Sequence, residues 1–175
     1  MGVAAEESAG GVKRIVSNTG PLLHLEEAQA LELLRHTGEV RIPKAVDLEM
    51  AHYERKWGIR RPAWIVVEPL AQPYDVSAAQ WHQAGLLDGG EAEAVALAQQ
   101  VRADWFLTDD AAARLFAKSL GIEVHGSLGV VLWAAVIGYL QPSEAEAVLD
   151  RLAQSSLWIS ARVLAEAKAA LKKLY

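Results

Sequence analysis

The 175-residue chain has no cysteine. That excludes disulfides, thiolate metal sites and a cysteine nucleophile, and it suits a reducing cytosol. Cations are scarce as well: 17 Lys and Arg face 22 Asp and Glu, a formal net charge of −5. The chain as a whole does not advertise nucleic-acid binding, so any such binding needs a local basic patch or metal ions that offset the carboxylates. No apolar run is long. The longest, residues 128–140, is too short to span a bilayer and fits a buried helix. Residues 1–13 are small, polar and Gly-rich, without the apolar core of a signal peptide, and read as a flexible N-terminal segment. The glycines form neither a P-loop nor a dinucleotide fingerprint, and no serine sits in a nucleophile elbow. His24, His36, His52, His82 and His125 are scattered without metal-ligand spacing, which leaves them packing or surface roles. A cytoplasmic protein with no membrane attachment is expected.

Apolar residues make up 52% of the chain, enough for a folded domain. A chain of this length buries about 70% of its unfolded surface. Strands are expected at residues 14–18, 40–42, 64–67, 105–107 and 122–125. Thr19-Gly20-Pro21 reads as a turn and residues 22–36 as one helix. Pro43 suits a helix's first position, with the helix over 44–55, and residues 57–63 read as a loop. Further helices are expected over 76–84, after Asp88-Gly89-Gly90, over 111–120, over 128–140, over 142–153 and from the cap Ser160 towards Tyr175. This alternation predicts an α/β chain: a three-layer α/β/α domain over residues 14–140 with a central, mainly parallel five-stranded sheet. Residues 141–175 are expected to form a helical extension packed on the same domain.

The chemistry concentrates in residues 86–110. The helix after Asp88-Gly89-Gly90 carries Ala94, Val95, Leu97, Ala98 and Val101 as its apolar face. At 3.6 residues per turn these centre on a direction only ~50° from Glu91, whereas Glu93 lies ~110° away and joins Gln100 on the wet side. Glu91 is therefore an inward-facing acid in a first turn. Trp105-Phe106-Leu107 then reads as a buried strand delivering Thr108, Asp109 and Asp110 at its carboxyl end, where ligands sit in open α/β sheets. Each acid has a structural reading too: the macrodipole favours an acid in a first turn, and an Asp before residues 111–120 is a good N-cap. With Glu49 and with Asn18 at the end of the first strand, however, the acids can converge on one sheet edge. Such a cluster repels itself unless protonated or bound to metal. Hard oxygen ligands without clustered His favour Mg²⁺ or Mn²⁺, ions that assist phosphodiester cleavage by lowering the pKa of water and neutralising charge on the reacting oxygens.

These segments also resemble a known family. Ile15-Val16-Ser17-Asn18-Thr19-Gly20-Pro21-Leu22 resembles the opening motif of PIN-domain proteins. Arg41-Ile42-Pro43 with Glu49 is similar to that family's second acidic site. Residues 87–94 followed by residues 106–110 are similar to its third and fourth. Residues 126–130 and 157–160 resemble the tail of one poorly characterised PIN branch. The resemblance implies a PIN fold and a Mg²⁺- or Mn²⁺-dependent endoribonuclease, often the toxin half of a toxin–antitoxin pair as in VapC-like proteins. Carried over, it implies metal-site and catalytic roles for Glu49, Glu91 and Asp110, with Asp109 a close alternative to Asp110, and supporting roles for Thr19 and Thr108. It further implies homodimerisation and a small antitoxin partner. One position departs from the pattern: Asn18 stands where the family usually has Asp, and the loss of a full charge weakens Mg²⁺ binding. The alternative reading is therefore a catalytically weak or inactive PIN-like module that binds RNA or a protein.

A second constellation spans residues 55–64. Arg55, Lys56, Arg60 and Arg61 could grip RNA phosphates while Trp57 or Trp64 stacks on an unpaired base. The structural reading is a basic helix end followed by a strand-starting tryptophan. Arg114 and Lys118 add a possible positive rim. A two-component receiver domain also gathers acids at a strand edge, but the helical tail and Asp88-Gly89-Gly90-Glu91 fit it poorly.

Overall fold

A computed structural model describes residues 11–175, so the flexible segment expected over residues 1–13 lies, as far as residue 10, outside the described residues. In chain order the elements are β1 (Arg14–Ser17), α1 (Thr19–Glu27), α2 (Leu33–Thr37), β2 (Glu39–Ile42), α3 (Lys44–Tyr53), α4 (Trp57–Arg60) and β3 (Ile65–Val67). There follow α5 (Tyr74–Gln83), α6 (Gly89–Gln100), β4 (Trp105–Leu107), α7 (Ala111–Ser119), β5 (Val124–His125), α8 (Ser127–Val136), α9 (Pro142–Gln154) and α10 (Ala161–Lys173).

The five strands form one sheet in the order β3-β2-β1-β4-β5. Every pairing is parallel, where a mainly parallel sheet was expected. Helices cover it to give the three-layer α/β/α architecture. Buried strands explain the unbroken apolar runs: Ile15, Val16, Ile42, Phe106 and Leu107 have no exposed surface. The chain leaves β1 towards β2 and β3, then returns to place β4 on the other side of β1. The carboxyl ends of β1 and β4 therefore lie side by side at the topological switch point, with Ser17 in register with Leu107. The amide of Asn18 extends that pairing by donating to Leu107 O at 2.8 Å.

Several boundaries differ from the sequence reading, each for a local reason. Thr19-Gly20-Pro21 is the first turn of α1 rather than a separate turn. The Asn18 carbonyl side-chain oxygen caps it, and Pro21 fits because first-turn amides have no intrahelical partner anyway. The helix expected over 22–36 breaks in two. Gln29 adopts the left-handed conformation (φ 56°), and the chain turns back through Ala30 N to Leu25 O and Gln29 N to Glu26 O. That stop is usually glycine, so its sequence signal was missing. Gly138 (φ 83°) ends α8 earlier than expected by the same device, with Tyr139 N donating to Ala134 O at 2.9 Å. Residues 57–60, expected as loop, form the short helix α4.

The closing helices bury Ala145, Val148, Leu149, Leu152, Ala167 and Leu171. Arg151 Nε on α9 donates to Ala28 O at the end of α1, 2.7 Å away.

Candidate active site

At the carboxyl edge of the sheet, Asn18 and Thr19 after β1 meet Thr108, Asp109 and Asp110 after β4. Asn18 Nδ2 donates to Thr108 Oγ1 at 3.3 Å, and Asp110 N donates to the same hydroxyl at 3.2 Å. The buried Thr108 thereby ties both strand ends together. Asp110 also caps α7, its Oδ1 accepting from Ala113 N at 2.8 Å.

Two helices bring further acids. On α6, Asp88 and Glu91 form a reciprocal capping box: Glu91 N donates to Asp88 Oδ1 and Asp88 N donates to Glu91 Oε2. On α3, Glu49 accepts from the Thr19 hydroxyl. Its carboxylate rests against Gly90, where an added Cβ would lie 2.2 Å from Oε1. The junction of α3 and α6 is itself fastened by an acid. Pro43 has no side-chain group to cap α3, and Glu93 Oε2 accepts from Ala45 N at 2.9 Å instead. Glu93 and Gln100 are thus not simply wet, as the helical wheel suggested; Gln100 likewise binds Ala71 N and Pro69 O.

Asn18, Thr19, Glu49, Asp88, Glu91, Asp109 and Asp110 all line one open cleft of about 610 Å³. No Lys or Arg lines it among the described residues. Burial and this uncompensated charge together favour the protonated forms of Glu91 and Glu49. Burial pushes Glu91 up to about 7, opposed by the hydrogen bond from the Asp88 amide and reinforced by the negative charges of Asp88 and Asp110. Burial also raises Glu49, reinforced by Asp88 and Glu93 and opposed by the Thr19 hydrogen bond.

Asp109 is different. Its Oδ1 accepts from Ser127 N at 2.7 Å, and its Oδ2 is taken up by His24 Nδ1 at 2.7 Å and by the Ser127 hydroxyl. Burial would raise its pKa, but the hydrogen bonds from His24 and Ser127 outweigh that and hold the carboxyl below its ordinary value. Asp109 thus fastens α1 to the start of α8, whose own N-cap, Gly126, has no side chain. Gly126 leaves room for this arrangement: an added Cβ would lie 2.8 Å from both Asp109 Oδ1, which Ser127 N already holds, and Arg114 Nη2, so one of them would have to shift.

A family model described as a PIN domain matches residues 14–173. The chain belongs to the PIN-domain family. PIN domains are in general nucleases that act on RNA and use divalent metal ions. No curated protein matches the chain. No helix among the described residues is long and apolar enough to cross a membrane.

The donor set of this PIN domain is hard oxygen in uncompensated excess, the chemistry that suits Mg²⁺ or Mn²⁺. Among the described residues, no three Asp, Glu or His side chains gather tightly enough to enclose one ion as they stand. Their oxygens have protein partners instead: Glu49 accepts from Thr19 and Asp110 from the Ala113 amide, while Asp109 is bound by His24 and Ser127.

Arg55, Lys56, Arg60 and Arg61 do not line the cleft. Arg61 Nη1 and Trp57 Nε1 both donate to Asp47 Oδ1 at 2.8 Å. Trp57 is 3% exposed, which corrects its expected availability for base stacking: it is a core residue. Trp64 also packs against the core. Sequence reasoning missed Asp88, His24, Tyr53 and Trp158 as cleft residues. For His24 the obstacle was reading residues 19–21 as a turn. Placed in one helix, Thr19, Gly20, Leu23 and His24 share a stripe at i, i+1, i+4 and i+5.

Proposed function

We propose that this PIN domain is a Mg²⁺- or Mn²⁺-dependent endoribonuclease acting on single-stranded or looped RNA. The observation that carries the reading is the cleft at the β1–β4 switch point, which Glu49, Asp88, Glu91 and Asp110 line without a compensating Lys or Arg. Glu49, Glu91 and Asp110 would hold the ion, with Asn18 contributing a neutral carbonyl oxygen. Asp109 is assigned here to positioning, because both its oxygens are engaged. When bound, the ion supplies Lewis acidity, lowering the pKa of water and offsetting charge on the phosphate oxygens. The chain's own part is preorganisation. Thr19 aims the Glu49 carboxylate, the Asp88 box fixes the first turn below Glu91, and Thr108 locks Asp110 to Asn18. Arg55, Lys56, Arg60 and Arg61 belong to this reading as outlying phosphate contacts.

RNA cleavage with Mn²⁺ or Mg²⁺ tests the proposal. Glu91→Ala with Asp110→Ala is expected to abolish activity, and activity surviving both changes would exclude this site. The toxin role, a small antitoxin and homodimerisation follow from the resemblance alone, and the cytoplasmic setting from the absence of cysteine and of a long apolar run. A short DNA-binding protein encoded beside this gene would support them.

A second reading rests on Asn18. Its side chain is neutral, and its carbonyl oxygen already accepts from Thr19 N at 2.9 Å. On that reading the chain binds RNA or a protein without cleaving. Calorimetric Mn²⁺ titration of the wild type beside Asn18→Asp separates the two: tight binding confined to the variant favours the inert module.

A further inference from the structure

The segment joining α9 to α10 carries a feature that the acid cleft does not use. Trp158 is 85% exposed, although it stands between two half-buried residues, Leu157 and Ile159. The segment is pinned on both sides. Ser156 binds the Glu27 carboxylate through its amide and its hydroxyl, and Ser160 caps α10. The indole is therefore presented from a fixed backbone. It borders the acid cleft and also a neighbouring cavity of about 410 Å³ lined by Arg114, His125 and Ser160. Arg114 Nη2 reaches Thr108 O at 3.4 Å, and among the described residues Arg114 has no carboxylate partner. A guanidinium has five N–H donors, so most of this fork remains available to a phosphate.

We infer that Trp158 is the stacking platform for an unpaired base next to the scissile phosphate, with Arg114 gripping a neighbouring phosphate in the adjoining cavity. This rests on the nuclease reading and assigns the recognition of its unpaired bases to a particular side chain. An indole offers every base a flat π-face, whereas bases inside a duplex cannot reach it. The role expected from sequence for Trp57 or Trp64 passes to a residue outside the basic 55–64 stretch. The acid cleft repels the RNA backbone, so substrate affinity has to come from flanking groups of this kind.

The test is fluorescence anisotropy of a short labelled single-stranded oligoribonucleotide with Ca²⁺, beside cleavage kinetics with Mn²⁺. Trp158→Ala is expected to weaken binding about tenfold and to raise KM with little change in kcat, while Trp158→Phe keeps most of the affinity. An abasic position at the cut site should erase the difference between wild type and Trp158→Ala. Arg114→Gln should weaken binding and flatten its salt dependence. Equal binding by wild type and Trp158→Ala overturns the inference while leaving the nuclease reading intact, provided the wild type cleaves. Unchanged RNA binding with lost self-association in Trp158→Ala also overturns it, by assigning the indole to a protein contact. A wild type that neither binds nor cleaves RNA removes both.

Discussion

A methyl group added at Gly90 would lie 2.2 Å from Glu49 Oε1, 2.7 Å from its Cδ and 2.8 Å from its Oε2. Restoring ordinary contact requires the carboxylate to retreat by roughly 1 Å or more. Gly90 is helical, and the group it would strike is the end of a flexible side chain. Alanine is favoured over glycine in a helix by up to about 1 kcal/mol. Disturbing the hydrogen bond from Thr19 to Glu49 costs about 1 kcal/mol. These effects nearly cancel, so Gly90→Ala should fold with stability close to that of the wild type. Catalysis has no such compensation, because a misplacement of about 1 Å can cost on the order of a hundredfold in rate. The assay pairs urea unfolding with Mn²⁺-dependent cleavage of single-stranded RNA. An unaltered cleavage rate in a stably folded Gly90→Ala protein would refute the reasoning, since it would show that the Glu49 position does not matter.

Glu91 gives a pH signature. Its pKa rises from 4.5 to about 7 on folding, so the native state holds a proton that the unfolded chain releases between those values. Without divalent ions, its contribution is complete below pH 4.5 and is lost as pH rises through about 7. Urea melts should show stability falling across that window, and Glu91→Gln should flatten this component. Gly126→Ala forces its Cβ towards Thr108 O as well as Asp109 and Arg114, and should cost about 1–3 kcal/mol in the same melts. Asn18→Asp keeps a competent cap for α1 but loses the Nδ2 donor to Thr108 and adds a buried charge to the acid cleft. It should lower metal-free stability by about 1–3 kcal/mol in urea melts, while calorimetry shows tighter Mn²⁺ binding. Replacing Arg55, Lys56 and Arg60 with Ala should lower RNA affinity and reduce the salt slope by up to about 2, whereas surface residues without RNA contact would leave it unchanged.

What could be read from the sequence followed from periodicity and strand chemistry. Trp105-Phe106-Leu107 was recognisable as a buried strand because nothing polar interrupts it, and the helical wheel turned Glu91 inward. The sheet edge then required Asn18 and Asp110 to meet. The failures concern information that no short pattern carries. Gln29 ends a helix without glycine, so residues 22–36 looked continuous. Trp57 looked like part of an RNA surface because neighbouring cations suggest one, but Asp47, ten residues earlier, draws its indole N–H into the fold. The choice between Asp109 and Asp110 was undecidable from spacing. The proposal for Asp110 turns on His24 and Ser127, which lie far from both in sequence and bind the oxygens of Asp109.

Anomalous diffraction from crystals soaked in Mn²⁺ tests the central claim most directly. The account predicts a peak in the cleft bounded by Glu49, Glu91 and Asp110, with those carboxylates turned onto the ion and Asp109 still bound to His24 and Ser127. A peak elsewhere, or an empty cleft at saturating Mn²⁺, would contradict it.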